Sequence, residues 1–68
     1  MIKNDRELRV TLDRIAHLQN VLENLRRTEG NATNYRLSAA GYLAEIDRMN
    51  LDVREYLSLH PSELQPAV

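Results

Sequence analysis

The sequence predicts an all-α protein: an antiparallel two-helix hairpin that pairs with a second copy into a four-helix bundle. Three observations carry this expectation. Apolar residues recur at spacings of three and four through two long stretches, the pattern of amphipathic helices. One short glycine-led break separates those stretches. The second stretch, Ala39 to Leu59, holds more apolar surface than a single neighbouring helix covers. Its stripe contains Ala39, Tyr42, Leu43, Ile46, Met49, Val53, Tyr56 and Leu57, while Glu45, Arg48, Asp52 and Glu55 occupy the opposite side. Tyr42, Met49 and Tyr56 read as an edge beside the central row, and only one other long helix is on hand to bury them. Self-association follows. The expected interface is Tyr42, Ile46, Met49, Asn50, Val53 and Tyr56, with a homodimer as the first choice of assembly.

Length and composition agree with a single domain that needs support. A chain of 68 residues buries only about 60% of its unfolded surface and is marginal without a staple. There is no cysteine, so neither a disulfide nor a thiolate metal site is available, and oligomerisation remains. Charged residues make up 28% of the chain and the net charge is −1, which gives no strong field toward nucleic acid or membranes. No apolar run approaches the roughly 18 residues of a membrane span. The opening Met1 to Arg6 lacks the apolar stretch of a signal peptide. The expectation is a cytoplasmic protein.

The first helix is expected over about 5–29. Asn4 is a suitable N-cap, and Glu7 three residues later completes the spacing of a capping box. Ile2 is placed to fold back beside Leu8. The stripe Leu8, Leu12, Ile15, Leu18, Leu22 and Leu25 contains two heptad rows, Leu8–Ile15–Leu22 and Thr11–Leu18–Leu25. Arg26 and Arg27 complement the negative end of the helix dipole. Gly30 is expected to supply a left-handed C-cap.

The loop is expected over about 30–34, followed by a second helix over about 35–59. Thr33 or Asn34 is the favoured cap and Ser38 the alternative. Gly41 lies inside this helix, where glycine costs about 1 kcal/mol relative to alanine. Ala39, Ala40, Gly41 and Ala44 form a small-residue patch that permits close helix approach near the loop. His60-Pro61 stops the helix, because the residue before proline is pushed out of the helical region. Residues 60–68 are expected to form a tail. Two helices of about 22–26 residues span roughly 33–39 Å each and match in length, as a hairpin requires.

Candidate chemistry is sparse. Asp13 and His17 share a helix face, but no further ligands complete a metal site. No glycine-rich phosphate loop is present, and Ser38, Ser58 and Ser62 have no histidine–carboxylate pair beside them. No catalytic residue, cofactor or metal is expected. Val10, Arg14, His17 and Val21 form a mixed stripe on the back of the first helix, read as scattered surface residues. Lys3, Arg6 and Arg9 are the only candidate nucleic-acid contacts, and Asp5, Glu7 and Asp13 interrupt them. A solvated face is the favoured reading, with RNA binding by a hairpin dimer as the alternative. Asn50 falls within the stripe of the second helix. It either fixes register from a buried seam or reaches water at the stripe edge.

The run Ile2-Lys3-Asn4-Asp5-Arg6-Glu7-Leu8-Arg9-Val10-Thr11 resembles the opening of small helical regions that precede the helix-turn-helix domain of some bacterial XRE-type regulators and antitoxins. Glu55-Tyr56-Leu57-Ser58-Leu59 is similar to the acidic-Tyr-x-x-Leu pattern that ends their second helix. The resemblance implies protein association near a regulatory or toxin–antitoxin system. The DNA-binding domain of that group has no counterpart in these 68 residues, and no site residue is implied.

Overall fold

The structure, a computed structural model, describes residues 1–64. Two long helices, α1 (Asp5–Thr28) and α2 (Ala32–Leu57), pack against each other as a hairpin, and a single turn, α3 (Pro61–Leu64), follows. The result is a rod with principal extents of 56 × 15 × 13 Å.

Helix α1 starts where its capping residues place it. The Asn4 side chain accepts a hydrogen bond from the Glu7 amide at 2.8 Å. Glu7 reaches back, but to the Lys3 amide at 2.8 Å instead of that of Asn4. One free amide of the first turn, and the Lys3 amide just before the cap, are thus satisfied.

The turn differs from expectation. No described residue has a positive φ, so Gly30 is not a left-handed cap. Instead Glu29 turns extended at φ −90°, ψ 111°, while its amide still bonds the Leu25 carbonyl. The Glu29 carboxylate then accepts from the Asn31 amide at 3.0 Å. Asn31, not Thr33, Asn34 or Ser38, caps α2, because its side chain reaches the Asn34 amide at 2.9 Å. The connection is therefore shorter than 30–34, and α2 gains its first turn from residues expected to be loop.

At the other end, α2 stops at Leu57 and Ser58 is its C-cap. Part of the expected tail is ordered into α3. At its start His60 Nδ1 accepts from the Ser62 amide at 3.1 Å, and the His60 amide donates to the Glu63 carboxylate at 2.7 Å. The rest of that tail, residues 65–68, lies outside the described residues.

The core is one row deep. Ile15, Leu22, Ala39, Ile46 and Met49 form it, with Leu18, Leu25, Tyr35 and Val53 packed against them. Along α2 the positions Tyr35, Ala39, Tyr42, Ile46, Met49, Val53 and Tyr56 alternate steps of four and three, a heptad row that matches the one in α1, and all of them but the exposed Tyr42 are buried or half-buried. Ala39 is the most buried residue at 1% exposure, so only this member of the small-residue patch serves the hairpin. Ala40, Gly41 and Ala44 are exposed.

Candidate interaction surface

The open end of the hairpin is closed by two residues far apart in sequence. The Tyr56 hydroxyl donates to the Asp5 carboxylate at 2.6 Å, joining the end of α2 to the first turn of α1. That bond, with desolvation and the nearby Asp5 charge adding to it, holds the Tyr56 hydroxyl above its ordinary pKa. Ile2 precedes α1 yet is buried, and it lines the same groove as Tyr56, Asp52 and Leu59.

This closure reassigns part of the expected interface. Ile46, Met49 and Tyr56 are buried within one chain and have little surface left to offer. Met49 and Tyr56 sit on the heptad row itself; the row precesses along α2, and Leu43 and Leu57 fall outside it. Tyr42 and Leu43, both members of the expected stripe, are exposed, and Ala39 joins Leu22 in the core. Val53 is half-buried. Asn50 is exposed, which rules out a seam position inside the hairpin. Tyr42, Asn50 and Val53 are thus the members of the expected set that retain surface.

The charged candidates are not gathered into a site. Lys3, Arg6 and Arg9 are all exposed. Arg6 lines a shallow groove together with Glu7 and Asp52, whose charges oppose it. Among the described residues no group of three or more His, Asp or Glu is placed to hold a metal ion. His60 is turned toward α3, with Nδ1 2.9 Å from the Ser62 hydroxyl. Arg48 and Glu45 form a surface ion pair on α2. No described helix is long and apolar enough to cross a membrane.

Most of the large exposed apolar side chains lie on α2, with Val10 on α1 and Met1 and Leu59 outside both helices. Leu37 is 74% exposed, Leu51 54% and Leu57 64%. Leu37, Ala44 and Leu51 are spaced seven apart on the side of α2 away from α1, with Ala40 and Gly41 beside them. The sequence reading assigned that side to solvent through its charges, and the second heptad row was the available signal. The comparisons add no relative: no family model, curated protein or solved structure matches the chain.

Proposed function

We propose that this protein is a small helical interaction module that works as a homodimer, two hairpins combining into a four-helix assembly. The observation that carries the reading is surface. The chain exposes 5622 Å². A compact monomer of its mass exposes about 4,400 Å² by the usual scaling, so the hairpin carries roughly 1,200 Å² in excess. Its radius of gyration is 15.8 Å, where a compact chain of this length has about 11 Å. Two such chains together hold an excess of about 2,400 Å², within the range of homodimer interfaces.

The module supplies shape and pairing, and no reaction is assigned to it. Among the described residues the core is one layer deep and no charged side chain is buried. The resemblance to regions beside XRE-type regulators and antitoxins supports a regulatory setting, in which pairing of this chain would set the stoichiometry of a larger complex. Sedimentation equilibrium tests the reading. A helical dimer at micromolar concentration is expected, and a folded monomer at all concentrations would overturn it. Titration with RNA and DNA at low salt tests the competing use of Lys3, Arg6 and Arg9. Binding that falls steeply with added salt would favour that use.

A further inference from the structure

We infer that the dimer forms through the outward face of α2, two copies of which pair antiparallel about a two-fold axis at Ala44. The inference rests on the homodimer reading above and names its surface. The face is self-complementary in a way the hairpin does not use. Leu37 and Leu51 stand seven residues to either side of Ala44. An antiparallel crossing at Ala44 therefore sets Leu37 of each copy against Leu51 of the other, twice, as an isologous interface requires. The same register sets Ala40 and Gly41 against Arg48 and Asp47 of the second copy. Small residues thus receive the long ones, and the aliphatic stem of Arg48 covers Ala40 with its charge left in water.

Gly41 supports the same face. Glycine inside a helix is destabilising, and here the hairpin gains nothing in return: a methyl group at Gly41 would meet no heavy atom within 4 Å. Close approach of a second helix gives the missing side chain a use. The two Leu37–Leu51 contacts bury the two most exposed leucines of the mid-helix face. In this assembly the α2 pair is central and each α1 lies outside, so both apolar rows of α2 are covered.

The chain has no cysteine, so single cysteines report proximity without background. Ala44→Cys is expected to cross-link to its own symmetry mate under mild oxidation or with a short bis-maleimide, and Leu57→Cys is expected not to. Leu51→Glu, at an exposed position, is expected to keep its helicity and weaken dimerisation about 100-fold or more, the scale of a central hot spot altered in both copies. A wild-type dimer in which Leu57→Cys cross-links and Ala44→Cys does not would overturn this face and leave the homodimer standing. A wild-type monomer would overturn both. Should Leu51→Glu fail to fold, the cross-linking of Ala44→Cys decides alone.

Discussion

Leu22→Ala probes the hairpin core at its most consequential point. Leu22 is 8% exposed and shares a packed cluster with Ala39, whose own side chain is a single methyl. Removing the isobutyl group deletes about three carbon equivalents at ~0.8 kcal/mol each. Ala39 cannot extend to fill the gap, so a cavity contribution adds to the transfer loss. The core is only one row deep and water reaches its edges, which limits that addition. The expected loss is about 2–3 kcal/mol, toward the lower part of the range for buried leucines. Leu57→Ala is the matched control, since Leu57 is largely exposed and the chemistry removed is the same. Its expected loss is within about 0.5 kcal/mol. Urea unfolding followed by helical ellipticity, at one fixed chain concentration, measures both. Equal losses in the two variants would refute the placement of the core.

Other consequences are separable. Gly30→Ala is expected to be neutral or slightly stabilising, because Gly30 has no positive φ and nothing lies within 4 Å of an added methyl; a clear loss of melting temperature would restore the left-handed cap. Asn31→Ala removes the α2 cap and is expected to destabilise by about 1 kcal/mol in the same assay. Gly41→Ala is expected to raise the stability of the dissociated hairpin by up to about 1 kcal/mol while weakening its association; a gain in both would count against close packing at that residue. Tyr56 titrates above its ordinary value in the folded chain. The folded pKa is raised, so its contribution is complete below the unfolded value of about 10 and is lost as pH rises through the folded one. Alkaline melting curves of Tyr56→Phe should lack that part of the decline, and curves parallel to wild type would dismiss the Asp5 contact.

Much of the hairpin was legible in the sequence. Leu8–Ile15–Leu22 and Thr11–Leu18–Leu25 define the inward face of α1, and Asn4 with Glu7 marks its start. The turn was less legible because Asn31, Thr33 and Asn34 are all competent caps. The choice among them depends on how the Glu29 carboxylate closes onto the Asn31 amide. The phase of α2 was misjudged for a geometric reason. A row that steps four and three favours Met49 and Tyr56 over Leu43 and Leu57, but both sets fit a straight helix within the width of one stripe. The Asp5–Tyr56 bond joins residues 51 positions apart, and nothing local in either segment announces it. Ile2 is buried at the same end of the hairpin, beside Tyr56. The outward face of α2 was obscured by Arg48 and Glu55, which share that side with Leu37, Ala44 and Leu51.

The central claim is that one hairpin is half of a stable unit, and thermal unfolding at different chain concentrations tests it most directly. Folding linked to dimerisation makes the midpoint depend on concentration through mass action. Melting curves of the wild-type chain, followed by helical ellipticity from about 1 μM to about 100 μM, are predicted to shift steadily to higher temperature. Superimposable curves across that range, with full helicity at the lowest concentration, would contradict the account.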